Sequence, residues 1–300
     1  MESLYWVFTL RCNDHCDHCY NDSGPQGETL SGEELLRVIP HLPEHLGRVV
    51  LSGGEPTAEM DKLVALLLAL RERFGAETPL LVQSNGDLLT EAKLDRLLEA
   101  GLNRIDIVSV DRFHKNRGAH VAGLRALFQK CGLSEVEDVG KLSRRPGQEF
   151  ALWGATQDLW IGGNWARGRA LANGVAKLDP EHNFCNMWSG ALGFLDDGSD
   201  QQEIHIQLSR VYPCCPTTLF SLGDAREESV SAILDRAGND PAFKRLNLGD
   251  IYGLGTGVGL SRDFIRARIE ALGDVCLWCD EYFAQHDKGF HGASRRALMV

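Results

Sequence analysis

Apolar residues in the first half of the chain recur with two alternating periods, and the alternation outlines a fold. Leu4 to Leu10 is an almost unbroken apolar run and predicts a buried strand. Ser31, followed by Gly, Glu and Glu, opens an apolar-periodic stretch to about Leu42, with the serine placed to cap a helix. Arg48 to Leu51 predicts a short buried strand ending at Ser52-Gly53-Gly54-Glu55-Pro56, and Thr57 to Phe74 a helix with leucines at helical spacing. The cycle then repeats: strand Pro79 to Gln83, helix Thr90 to Ala100 stopped by Gly101, strand Arg104 to Val110, helix Gly118 to Lys130. Four βα units in a row predict an α/β fold with a parallel sheet.

Past Cys131 the pattern weakens. Residues 132–150 are polar without a clear period; Phe150 to Gly154 and Leu159 to Gly162 read as short strands, and Trp165 to Asn173 as a helix. From about Leu178 glycines, scattered aromatics and most of the remaining cysteines dominate. This sets an expected division into residues 1–177 and 178–300.

Composition changes this picture little. The apolar fraction of 43% and charged fraction of 24% are those of an ordinary globular chain. No apolar run approaches the ~20 residues that span a bilayer, and Met1 to Asn13 lacks the basic start of a signal peptide. A cytoplasmic protein without a membrane partner is expected. The net charge of -11 argues against nucleic acid as a partner, since phosphate binding calls for a basic face.

The nine cysteines change it a good deal. Eight fall in three groups: Cys12, Cys16 and Cys19; Cys185, Cys214 and Cys215; Cys276 and Cys279. Cys131 stands apart and reads as an incidental thiol. In a reducing compartment such groups point to metal or redox chemistry rather than disulfides. Three thiolates within one short loop can bind three irons of a cubane cluster and leave the fourth open. A structural zinc site with His15 or His18 as fourth ligand is the alternative; outside it, both histidines read as solvent-facing.

The run Cys12-Asn-Asp-His-Cys16-Asp-His-Cys19-Tyr20 resembles the signature of the radical S-adenosylmethionine (SAM) superfamily. Ser52-Gly53-Gly54-Glu55-Pro56, Ser84-Asn85-Gly86 and Ser109-Val110-Asp111 follow successive strands, where that family places its SAM-binding segments. The resemblance implies a partial (β/α)6 TIM-like barrel, reduced at its fifth unit, with a [4Fe-4S] cluster on the three cysteines. It also implies SAM held by Tyr20, Gly53, Gly54, Glu55, Pro56, Ser84, Asn85, Ser109 and Asp111. One electron from the cluster then cleaves SAM to a 5′-deoxyadenosyl radical, which removes a hydrogen atom from substrate.

Gly168-Arg169-Ala170, Cys185, the Pro213-Cys214 step, Leu222-Gly223-Asp224 and the Cys276-x-x-Cys279 pair resemble the C-terminal modules called SPASM and twitch. Four cysteines suit the shorter, twitch version: a small α+β domain with one auxiliary [4Fe-4S] cluster on Cys185, Cys214, Cys276 and Cys279. Cys215 is the alternate to Cys214, and zinc on the same thiolates is the alternative metal. Arg169 is a candidate for the SAM carboxylate or for a surface acid; His114 and Asp158 are candidate catalytic bases. Trp153, Trp160, Trp165 and Trp188 line a cavity or simply fill core. The expected partners are a peptide or small-molecule substrate and an external electron donor such as a flavodoxin or ferredoxin. Peptide crosslinking, oxidation or epimerisation is slightly preferred over small-molecule chemistry. A non-catalytic iron–sulfur or zinc protein is the reading from another class.

Overall fold

The computed structural model describes residues 3–111, 113–114, 119–136, 148–154, 165–181, 203–214 and 217–287. Strands β1 (Ser3–Thr9), β2 (Arg48–Gly53), β3 (Leu80–Ser84) and β4 (Arg104–Ile107) form where the apolar runs predict them. After them come β5 (Ser134–Glu135), β6 (Glu149–Leu152), β7 (Glu203–Gln207), β8 (Arg210–Tyr212) and β9 (Gly223–Asp224). All nine belong to one open sheet in the order β5-β6-β4-β3-β2-β1-β7-β8-β9. The pairs from β5 across to β7 are parallel, and β7-β8-β9 closes the row antiparallel. This is a mixed α/β fold with a parallel sheet, consistent with a partial TIM barrel. The strands beyond residue 178 add to the same sheet through β1, residue against residue from Ser3 with Glu203 to Val7 with Gln207.

The crossover helices are α1 (Gly32–Leu36), α2 (Met60–Phe74), α3 (Glu91–Glu99) and α4 (Ala119–Lys130). Ser31 caps α1 as expected: it accepts from the Glu34 N–H, and the Glu34 carboxylate accepts from the Ser31 N–H at 2.9 Å. The helix is shorter than its apolar period, because Pro40 cannot donate within it and the chain passes into a 3-10 turn at Ile39–His41. A short α5 (Gly168–Ala172) follows β6, and a C-terminal group comprises α6 (Val230–Asn239), α7 (Pro241–Asn247), α8 (Ile251–Thr256), α9 (Arg262–Leu272) and α10 (Val275–Gln285).

Alternation along the strands gives the sheet two unlike faces. Leu4, Trp6, Phe8, Leu51, Val82, Ile105 and Ile206 join the helices in the apolar core. The opposite positions mix the buried apolar Val7, Val50 and Leu81 with a set of polar residues: Ser3, Tyr5, Ser52, Gln83, Arg104, Asp106, Glu203, His205 and Gln207. Where the strands begin, this second face is closed by ion pairs. Arg104 Nε meets Asp106 at 2.5 Å, and Arg48 meets Ser3 at 2.8 Å and Glu203 at 3.7 Å. A parallel sheet covered by helices on both faces is normally apolar on both; here the second face carries polar side chains among its apolar ones. Among the described residues no helix is long and apolar enough to cross a membrane.

Candidate active site

The chain leaves β1 into the cysteine loop, which folds back on itself. Leu10 N–H donates to Glu28 O at 2.8 Å, Cys12 N–H to Gly24 O at 2.9 Å, and Gly24 N–H to Leu10 O at 3.1 Å. Backbone amides also point at sulfur: Asp14 N–H at Cys12 Sγ, 3.4 Å, and Ser23 N–H at Cys19 Sγ, 3.3 Å. Such N–H···S bonds stabilise a thiolate and tune a cluster bound to it. Burial pushes the Cys12 thiol up to about 11, with Glu55 and Cys19 adding to it, and the Cys16 thiol up to about 12, with Asp14 and then the other two thiols adding. Three half-buried cysteines on one loop, two of them with backbone N–H groups aimed at sulfur, are a donor set that fits a metal cluster with three protein ligands.

The two glycines after β2 serve the loop first. A Cβ on Gly53 would lie 2.7 Å from Thr9 O, and one on Gly54 2.6 Å from Arg11 O. Only glycine lets β2 press its end against the backbone that carries Cys12. Gly54 N–H donates to Thr9 O at 2.8 Å and Glu55 N–H to Arg11 O at 2.9 Å. The Glu55 carboxylate, fully buried, then accepts from Thr57 N–H at 2.9 Å, Thr57 Oγ1, Ser84 Oγ at 2.8 Å and Asn85 N–H at 2.7 Å. Pro56 starts the 3-10 turn Pro56–Glu59 that leads into α2. Asn85 Nδ2 reaches back to Asn13 Oδ1 at 2.9 Å, and Ser109 Oγ donates to Asn85 O at 2.8 Å. The ends of β1 through β4 are thus wired into one cluster of residues.

Asp111 lies just beyond. It accepts from Phe113 N–H at 2.8 Å and His114 N–H at 3.1 Å, and faces His114 Nδ1 at 3.0 Å. Burial alone raises its pKa, but the bonds from His114 and Phe113 outweigh it and hold Asp111 at about 2. His114 meets His18 edge to face at 4.6 Å, and Phe113 covers the same ring at 5.2 Å. His18 therefore departs from the expectation of a solvent-facing residue: it is 8% exposed, and burial, helped by His114, lowers its pKa to about 4. His15 is exposed, as read. Cys16, His18 and His114 place their donor atoms within 4.8 Å of one another.

Behind the loop stands α5. Arg169 donates to Cys16 O at 3.0 Å and to Ser23 O, and pairs with the exposed Asp22 at 3.1 Å. Ala170 N–H donates to Cys19 O at 3.3 Å. A Cβ on Gly168, at φ +49°, would lie 2.4 Å from Tyr20 O, so the glycine permits both the left-handed turn and the contact.

Cys276 and Cys279 share one face of the first turn of α10, whose N-cap Asp274 accepts from Cys276 N–H at 2.8 Å. Cys214 follows β8. All three thiols lie within electrostatic reach of the Arg167 cation. Cys185, Cys215, Asp158, Trp160 and Trp188 lie outside the described residues. Trp165 is buried, and the Trp153 indole N–H is buried beside the Asp106 carboxylate.

The sequence reading gave His18 no buried role, and it passed over the largely buried Arg167 and the buried His205. The signal for His205 was present, since Glu203-Ile-His-Ile-Gln207 alternates strictly between polar and apolar. Nothing local marks Arg167, whose partners lie far along the chain.

Residues 6–122 match the family model described as Radical SAM superfamily. The GTP 3′,8-cyclase of Synechococcus sp. (strain WH7803) is 40% identical over 163 residues, which is 49% of this chain and 44% of that protein. The Fe-coproporphyrin III synthase of Methanosarcina barkeri is 35% identical over 134 residues, 41% of this chain and 32% of that protein. The matched stretch is thus less than half the length of either relative. A solved structure, BtrN in complex with AdoMet and 2-DOIA, superposes with a TM-score of 0.48 at 16% identity, covering 83% of this chain and 88% of that one. The match over residues 6–122 takes in the cysteine loop and the ends of β1 to β4, so the similarity to the radical SAM superfamily falls on the residues that build this site.

Proposed function

We propose that the chain is a two-centre radical SAM enzyme, with Cys12, Cys16 and Cys19 holding the catalytic cluster and Cys214, Cys276 and Cys279, with Cys185, holding an auxiliary one. The observation that carries the reading is the wiring of the cysteine loop to Glu55 and Asn85, which brings the family's motif residues together at the ends of parallel strands. When bound and reduced, the first cluster supplies the electron that cleaves SAM to the radical that attacks substrate.

The chain's own residues do the rest. Gly53 and Gly54 bring β2 onto the loop, Glu55 fixes Ser84 and Asn85, and Ser109 and Asp111 are the further residues that would hold SAM. Asp111 orients the His114 imidazole through Nδ1. Arg169 braces the loop from behind.

His205 and Gln207 support a small, hydrogen-bonding substrate on the second face of the sheet: among the described residues, both nitrogens of His205 and Oε1 of Gln207 are buried without partners. Peptide modification, slightly preferred on the cluster plan alone, has no comparable residue among the described ones. The electron donor is an external protein of flavodoxin or ferredoxin type. One observation favours a second reading of the first site, a divalent ion on Cys16, His18 and His114.

Anaerobic reconstitution with iron and sulfide, followed by metal counting, separates these. The two-centre reading expects about eight irons per chain, falling to about four when Cys12, Cys16 and Cys19 are changed to Ala together, and to about four when Cys214, Cys276 and Cys279 are. Retained zinc that is lost on His18→Ala supports the second reading instead.

A further inference from the structure

Arg167 precedes α5 as its N-cap residue, and its guanidinium is turned inward with 13% of the side chain exposed. Its donors reach each described segment that carries a cysteine of the second group. Nη2 donates to Cys276 O at 3.1 Å, and Nε to Thr217 O at 3.4 Å. Thr217 N–H in turn donates to Cys214 O at 3.0 Å. Both Nη atoms meet the Asp280 carboxylate at 3.1 Å in a fork, and Asp280 directly follows Cys279. Asp280 also accepts Leu219 N–H at 3.2 Å, closing the ring of segments.

A buried cation is costly unless its charge is matched. The Asp280 carboxylate supplies that match through both Nη atoms, and the sulfurs of Cys214, Cys276 and Cys279 lie within electrostatic reach of the same guanidinium.

We infer that Arg167 is a positioning residue of the second cysteine centre, a fixed cation that gathers its three segments and makes the bound centre easier to reduce. The inference rests on reading Cys214, Cys276 and Cys279 as ligands of one iron–sulfur centre. A thiolate-ligated cluster is anionic and becomes more so on reduction, and a cation held beside it favours the reduced form. Arginine suits the position because its planar fork serves backbone and carboxylate acceptors at once, which a lysine ammonium does not.

The test uses the full chain, reconstituted anaerobically, with iron counting and a redox titration followed by electron paramagnetic resonance. Wild type, Arg167→Met and Arg167→Lys are compared. In Arg167→Met the first centre keeps its signal, and the second shifts toward the oxidised form by on the order of tenfold in its reduction equilibrium, about 59 mV for one electron. Arg167→Lys, which keeps the charge, retains the centre with a smaller shift. Loss of the second centre in Arg167→Met with retention in Arg167→Lys supports the inference equally. A fully loaded Arg167→Met with an unmoved potential overturns it, as does loss of the centre in both variants, which would leave the charge no role. A wild type that binds only about four irons removes the two-centre reading beneath, and shows itself before any substitution is made.

Discussion

A carboxylate taken out of water costs several kcal/mol unless its oxygens are filled with donors, and Glu55 has four donors around it. Burial pushes its pKa up, and the bonds from Thr57, Asn85 and Ser84 work against that rise. Through those bonds one side chain fixes the ends of two strands. Glu55→Gln turns one acceptor oxygen into a donor that faces other donors. It is expected to cost about 1–3 kcal/mol of stability, the penalty of stranding a buried polar group, and to weaken SAM binding. Chemical denaturation and equilibrium binding check the two effects; unchanged values in both would remove Glu55 from its role. The position was legible in the sequence, because a Gly-Gly-Glu-Pro turn one βα unit after the cysteine loop is a recognisable signal. What the glycines do was not. They were expected to admit a ligand, and the backbone they approach is that of Thr9 and Arg11, a contact between residues more than forty positions apart.

Strand β7 places two titratable groups on the second face of the sheet, and they act on stability in opposite directions. Burial raises Glu203 to about 7, with Arg48 and Ser3 pulling it back, from an ordinary value of 4.5. Between those values the folded chain binds more protons than the unfolded one, so stability falls as pH rises through the window. Burial lowers His205 from 6.5 to about 3, so there the unfolded chain binds more protons and stability rises with pH. Glu203→Gln removes the first effect and leaves the second. The variant should match wild type near pH 4.5 and exceed its stability by about 3 kcal/mol at pH 8. Unfolding curves at the two pH values decide this, and a difference that does not change with pH would contradict it. The alternation in Glu203–Gln207 predicts a strand, but not its neighbour. Parallel pairing with β1 joins residues two hundred positions apart, and no local pattern encodes it.

Across the whole molecule, the four leading βα units were legible because each strand ends in a turn signal and each helix carries its own apolar stripe. The short β5 was not, since two exposed residues, Ser134 and Glu135, bury nothing that a period could reveal. The candidate site divides in the same way. The cysteine loop and the turns after β2, β3 and β4 stand in the sequence as compact motifs. Arg167 and His18 do not, because each is defined by what folds around it. At this scale the central claim is that the site assembled on the cysteine loop cleaves SAM, with Cys16 as one of its ligands. The most direct measurement is 5′-deoxyadenosine formation by the reconstituted chain, given SAM and dithionite without oxygen, for wild type and Cys16→Ala. The account predicts product from wild type and none above background from Cys16→Ala. Equal product from both, or none from an iron-loaded wild type, would contradict it.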